Sequence, residues 1–280
     1  EHIWITVSHT FSAPHIMASQ GGPQKGPGSP PPMSSEEQAE SAQQTEALLA
    51  AVNEAGVELM LDPGCDVDSS AAAVALAERF GFIYAAVGLH PEELGRMDGG
   101  SLEKIRVLAA HPKCVAIGEI GLDYYWDDSR KDEQKRLLAC QLELALELDK
   151  PVIIHDRDAH ADCFDIVSRY SALRGVFHCY SGSAEMAHEL LKRGWYLGFD
   201  GPVTYKNARR AIEVLEVCPV ERILIETDSP YLSPVPMRGK RNDSRNLRYI
   251  AAKIAEVKGM TPEAVAAATL ENGKALFGIG

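Results

Sequence analysis

Several short apolar runs in this chain end on a histidine or a carboxylate. Phe82–Val87 leads into Gly88-Leu89-His90, Cys114–Ile117 into Gly118-Glu119, and Val152–Ile154 into His155-Asp156-Arg157. Gly175–Phe177 leads into His178, and Arg222–Ile225 into Glu226-Thr227-Asp228. Imidazole nitrogen and carboxylate oxygen together suit Zn²⁺, Mn²⁺ or Mg²⁺, and a carboxylate can bridge two ions. Taken singly, each residue also fits a structural role. A lone histidine can be a hydrogen-bonded side chain, and Asp228 can be a helix cap ahead of Pro230. Glu119 resists that reading, because it follows an apolar run between Gly118 and Gly121, where an unpaired carboxylate is costly. Recurrence at equivalent positions favours one shared site made of His90, Glu119, His155, His178 and Asp228.

Residues so far apart in sequence meet only if the elements bring them together. The apolar runs are Val57–Leu61, Phe82–Val87, Cys114–Ile117, Val152–Ile154, Gly175–Phe177, Trp195–Phe199 and Arg222–Ile225, with Ile3–Val7 as a possible first strand. Between them lie segments of helical spacing, such as Leu137, Leu138, Gln141, Leu142 and Ala145. Apolar strands separated by helices imply a parallel sheet covered by helices. Eight βα units fit a closed (β/α)₈ TIM barrel, for which 280 residues are ample. A doubly wound open sheet is the rival. In a barrel all strand C-termini open on one face, where active sites lie.

Composition narrows the classes further. A net charge of −12 argues against a protein that coats nucleic acid through a broad basic surface, but leaves room for a cleft with cations and a few Lys or Arg. The six cysteines are scattered and include no C-x-x-C pair, so neither disulfides nor a thiolate zinc site is expected. No apolar run reaches the roughly 20 residues needed to cross a bilayer. No secretory signal pattern opens the chain, so a cytoplasmic location without a membrane or obligate protein partner is expected. Residues 1–33 form an atypical segment rich in Pro and Gly, with little to bury. Residues 34–280 carry the barrel, beginning with a polar helix that starts near Ser34 or Ser35 and ends before Gly56.

The longer motifs resemble a known family. Gly118-Glu119-Ile120-Gly121-Leu122-Asp123, Pro151-Val152-Ile153-Ile154-His155, His178-Cys179-Tyr180-Ser181-Gly182-Ser183 and Glu226-Thr227-Asp228-Ser229-Pro230-Tyr231-Leu232 are similar to signatures of the TatD-type metal-dependent deoxyribonucleases. The ending Glu271-Asn272-Gly273-Lys274-Ala275-Leu276-Phe277 resembles that family too, so the match runs over roughly residues 45–277. The resemblance implies an amidohydrolase-type TIM barrel and a site for about two or three divalent ions, and with the altered first motif about one to three ions, Mg²⁺, Mn²⁺ or Zn²⁺, are expected. It implies that Glu119 bridges metals, that His155 and His178 are ligands, and that Asp228 binds metal and helps to activate water. The implied activity is hydrolysis of DNA, often from the 3′ end. The first motif departs from the family pattern Asp-Ser/Thr-His-x-His. Here it reads Val7-Ser8-His9-Thr10-Phe11, so His9 fits the first metal histidine and Phe11 replaces the second.

Other residues extend the expected site. His90 is expected to assist the leaving group. Arg157, Arg238, Lys240 and Arg241 are expected to meet phosphates. Tyr124, Tyr125 and Trp126 can stack on bases or pack a loop. Asp156, Arg157 and Asp158 are candidates to orient His155. Two other functions stay open at this point: a hydrolase of small esters, amides or aminoacyl esters on the same barrel, and a metal- or nucleic-acid-binding relic disabled by the altered first motif.

Overall fold

A computed structural model describes residues 5–7 and 35–280, with side chains from residue 43 onward. The strands are β1 (Ile5–Val7), β2 (Leu59–Pro63), β3 (Ile83–Val87), β4 (Cys114–Asp123), β5 (Val152–Arg157), β6 (Gly175–Phe177), β7 (Tyr196–Phe199) and β8 (Ile223–Ile225). They pair in parallel, each with the next in sequence, and β8 comes back beside β1. A doubly wound sheet reverses its strand order at a switch point, and none occurs among the described strands. The architecture is a (β/α)₈ barrel. Its helices are α1 (Ser35–Glu54), α2 (Val67–Arg79), α3 (Ser101–Ala109), α4 (Lys131–Glu147), α5 (His160–Val167), α6 (Ala184–Lys192), α7 (Arg209–Val217), α8 (Leu247–Lys258) and α9 (Pro262–Phe277). Among the described residues, no helix is long and apolar enough to cross a membrane.

The period of two along each strand sorts the core into two parts. Ile223 and Ile225 of β8, like Val152 and Ile154 of β5, face the helices in one large cluster. The alternate residues Leu61, Ala86, Ala116, Ile153, Val176, Tyr196 and Leu224 form a second cluster inside the barrel. Leu276, Phe277 and Ile279 at the end of the chain join this inner cluster, beside the strand-start residues Leu59, Tyr84 and Val115. The bottom of the barrel is thus filled, which leaves the opposite end for chemistry.

The same period carries the inner face upward. Two residues beyond Ile153 comes His155, two beyond Val176 comes His178, and two beyond Leu224 comes Glu226. The alternation that buries apolar side chains below therefore delivers polar ones above. Glu119 breaks this parity, because the pairing of β4 with β5 shifts between Ile117 and Ile120. A bulge of this kind re-aims the side chain it carries.

β4 and β5 run further than the apolar pattern predicts. The sequence reading ended them at Ile117 and Ile154, whereas pairing continues through Gly121↔His155, Leu122↔Asp156 and Asp123↔Arg157. Gly121 makes the extension possible. Its φ is +156°, and a Cβ there would lie 1.9 Å from the His155 carbonyl oxygen. This glycine lets two strands run close together beneath the site.

Candidate metal centre

The upper mouth gathers all five strand-end residues. His155 Nδ1 is 3.1 Å from Glu119 Oε1, and His155 Nε2 is 2.9 Å from Asp123 Oδ2. His178 Nε2 lies 3.8 Å from Glu119 Oε1 and 3.7 Å from Asp228 Oδ1. The rings of His90 and His155 meet edge to face with centroids 4.4 Å apart. Ligand atoms of His90, Glu119 and His155 fall within 4.8 Å of one another, as do those of Glu92, Asp123 and His155, and those of Cys179, Asp200 and Asp228.

The groups beside each ring sort the histidines by role. His178 Nδ1 is 2.8 Å from Glu226 Oε2, at the back of the ring. A carboxylate in that position keeps the proton on Nδ1 and turns the Nε2 lone pair toward Glu119 and Asp228, as a metal ligand requires. His90 is arranged the other way. Its Nδ1 accepts the Glu92 N–H at 3.3 Å, so a neutral ring carries its proton on Nε2 and is a donor.

The electrostatics are those of a site with too much negative charge. Burial alone would push His155 down, yet Asp123 and Glu119 hold it up at about 9. Burial opposes the charge on His178 as well, and Glu226, Glu119 and Asp228 together keep it well above the usual imidazole range. Burial, with the charge of Asp228 second, pushes the Asp200 carboxyl up to about 8. Glu92 is raised by burial and then by Asp123. Protons therefore gather where several buried oxygens converge. A divalent cation provides the same compensation without them, because ionised ligands bind it directly. Two ligands each about 2.1 Å from a shared ion lie roughly 3–3.5 Å apart, and the separations around Glu119 and His178 approach that spacing.

Left-handed backbone marks two strand exits. Cys179 (φ 43°) follows His178, and Asp228 itself has φ 49°. Non-glycine residues rarely adopt this region, and such outliers cluster at functional sites.

A family profile described as TatD related DNase matches residues 35–278. The chain belongs to the TatD family. It is 47% identical over 225 residues to the uncharacterized metal-dependent hydrolase YabD of Bacillus subtilis, covering 80% of this chain and 88% of that one. It is 38% identical over 234 residues to the 3′-5′ ssDNA/RNA exonuclease TatD of Citrobacter koseri, with 80% and 89% covered. The crystal structure of the TatD homologue YjjV from Escherichia coli superimposes with a TM-score of 0.81 at 32% identity, covering 86% of this chain and 93% of that one. This TatD-family chain is a metal-dependent hydrolase, and the crowded carboxylates and outward Nε2 of His178 fit a divalent cation.

Not every expected residue of the TatD-family site meets the others. His9 and Phe11 lie outside the described residues. Arg157 follows His155 by two residues on β5 and leans over Tyr125 with its guanidinium 4.0 Å from the ring centre. Arg238 stands 4.3 Å over the ring of Tyr205, a tyrosine raised by burial and then by the charge of Asp200. Lys240 and Arg241 are exposed on the same loop. Orientation of His155 falls to Asp123 and Glu119 rather than to the residues after it. Asp156 instead accepts from His160 at 2.9 Å.

Sequence reasoning missed a supporting frame. Gln134 and Gln141 are buried on one face of α4, seven residues apart. Gln141 Oε1 accepts the Leu89 N–H at 2.8 Å and its Nε2 donates to the Leu89 carbonyl at 2.9 Å, which fixes the backbone just before His90. Gln134 does the same for Asp123, accepting its N–H and donating to its carbonyl, both at 2.8 Å. Asp200 and Glu92 were also missed as members of the cluster. A polar residue inside an apolar helical stripe, as at Gln141, was the one available signal.

Proposed function

We propose that this TatD-family hydrolase cleaves phosphodiester bonds in DNA, working inward from a 3′ end. The observation that carries the reading is the convergence of His90, Glu119, His155, His178 and Asp228 at one barrel mouth. The relative named as a 3′-5′ ssDNA/RNA exonuclease supports the choice of substrate. Glu119, His155, His178 and Asp228 would hold about one to three ions of the Mg²⁺, Mn²⁺ or Zn²⁺ class, with His9 as a further ligand. Bound there, such ions polarise a phosphoryl oxygen and make a neighbouring water more acidic.

The chain's own residues supply the rest. Asp228, with 24% of its side chain exposed, takes the proton of the attacking water. The water oxygen forms the new bond to phosphorus, and the bond from phosphorus to the leaving 3′-oxygen breaks. His90, with Nε2 protonated, gives its proton to that oxygen. Glu226 and Asp123 hold the rings of His178 and His155 in place. Arg157, Arg238, Lys240 and Arg241 neutralise flanking phosphates, which lets a chain of charge −12 approach a polyanion. The cytoplasmic location expected from the sequence is part of this proposal.

A competition assay tests the substrate. Single-stranded DNA labelled at its 5′ end is offered together with a p-nitrophenyl carboxylic ester, with Mg²⁺ or Mn²⁺ present. Stepwise shortening of the DNA with little ester turnover is the expected result. Rapid ester cleavage with intact DNA would move the assignment to small-molecule esters.

A further inference from the structure

Three aromatic residues follow Asp123, and they divide by environment. Tyr124 is committed to the scaffold. Its hydroxyl donates to Asp162 Oδ2 at 2.7 Å, and the Lys131 ammonium sits 4.6 Å from its ring centre. Tyr125 and Trp126 are left 56% and 48% exposed. About half of each large ring thus stays in water, where its apolar surface adds nothing to stability, so keeping two side by side calls for a use.

The pair is held rigidly all the same. The backbone N–H groups of Tyr125 and Trp126 both donate to Asp123 Oδ1, at 2.9 and 3.0 Å. Just beyond them, Gln134 Nε2 donates to the Asp127 carbonyl at 3.0 Å. The turn is therefore anchored at both ends. Asp123 is also the residue whose other oxygen holds His155, so a single carboxylate joins the aromatic turn to the metal centre. The two rings meet at 85° with centroids 4.9 Å apart, which makes a corner with one wall for a flat face and one for an edge. Arg157 lies over both rings, with its guanidinium 4.0 Å from the Tyr125 centre and 5.6 Å from that of Trp126. Among the described residues no carboxylate forms an ion pair with Arg157.

We infer that Tyr125, Trp126 and Arg157 form a stacking site for an unpaired nucleobase beside the metal centre. The inference rests on the phosphodiester reading and adds the part of the substrate that reading leaves unassigned. An aromatic corner takes any base, because every base has a π-face. A guanidinium beside it suits the phosphate attached to that base. A base inside a duplex has both faces covered by its neighbours, so the site selects a single-stranded end. It also keeps the strand from sliding away from His155, since corner and ligand share Asp123.

The test is a binding ratio. The Asp228→Asn protein, in Mg²⁺, is titrated with a fluorescent single-stranded oligonucleotide and with the same oligonucleotide made abasic over its 3′-terminal residues. Base–aromatic stacking corresponds to an affinity ratio of about 5- to 150-fold in favour of the intact strand. Adding Trp126→Ala or Tyr125→Ala is expected to bring the ratio near unity, and Trp126→Phe to restore most of it. A ratio near unity before either change, a ratio unmoved by both, or no binding by the folded protein overturns the inference. DNA hydrolysis by the wild-type chain with no dependence on the base would remove the stacking site and leave the phosphodiester reading standing. Base-dependent binding without hydrolysis under any metal would do the reverse.

Discussion

Replacing Gln141 by leucine tests whether α4 holds the site in place. The substitution nearly preserves volume and strips two hydrogen bonds from the Leu89 backbone. Both Leu89 groups are buried, since Leu89 is 2% exposed. Each orphaned group costs about 1–3 kcal/mol, so the gross loss is roughly 2–6 kcal/mol. The new leucine recovers part of this through its own burial, about 1.5–3 kcal/mol. The net expectation is a loss of roughly 0.5–3 kcal/mol, or a midpoint lower by roughly 1–12 °C. Thermal unfolding followed by circular dichroism measures it. Turnover should also fall, by as much as about 10²-fold, because His90 follows Leu89 and a displacement of 1 Å is felt at that level. Gln141→Glu is the companion variant. Burial raises the folded pKa of the new carboxyl, so its protonated form, which can still donate to the Leu89 carbonyl, is favoured at low pH. Its stability relative to wild type is therefore best below the unfolded value of about 4.3 and declines as pH rises through the folded value. A Gln141→Leu protein as stable and as active as wild type would refute the claim that this glutamine pins the His90 loop.

Gly121→Ala should abolish soluble, correctly folded protein or disable it, since the added Cβ would lie 1.9 Å from the His155 carbonyl oxygen; a near-normal midpoint and normal activity would contradict the close approach of β4 and β5. Cys140 is exposed, while burial pushes the Cys114 thiol up to about 11 and the Cys218 thiol up to about 12. A chromogenic disulfide reagent should therefore modify Cys140 first in the native protein, and Cys140→Ser should remove the fastest phase. The hydrogen bond that His160 donates to the Asp156 carboxylate raises the histidine's pKa above the ordinary 6.5. The stabilisation from this pair is complete below about pH 6.5 and is lost as pH rises through the folded value, so the deficit of His160→Gln should be largest below about pH 6.5 and shrink as pH rises above it.

The barrel was legible in the sequence because its two signals are local. Apolar runs mark strands, helical spacing marks what lies between them, and chemistry-bearing residues recur where the runs stop. Those strand ends also exposed His90, Glu119, His155, His178 and Asp228 together, since a barrel puts equivalent positions on one rim. What stayed hidden depends on contacts between distant segments. Gln134 reads as part of a polar helix face until the Asp123 backbone is set against it. Asp200 follows an apolar run just as Glu119 does, yet only its nearness to Asp228 and Cys179 makes it a member of the cluster. The extension of β4 was masked by Gly118 and Gly121, because glycine usually weakens a strand and here permits a close one. Tyr124, Tyr125 and Trp126 could not be told apart in sequence, and only their partners separate a scaffold residue from an exposed corner.

The most direct measurement is the loss of 5′-labelled single-stranded DNA in Mg²⁺, in Mn²⁺ and in EDTA, beside Asp228→Asn. Shortening from the 3′ end is expected with metal, with none in EDTA and a fall of about 10²-fold or more in the variant. Intact DNA under every metal with the folded protein, or a variant within about tenfold of wild type, would contradict the assignment of this centre to phosphodiester hydrolysis through Asp228.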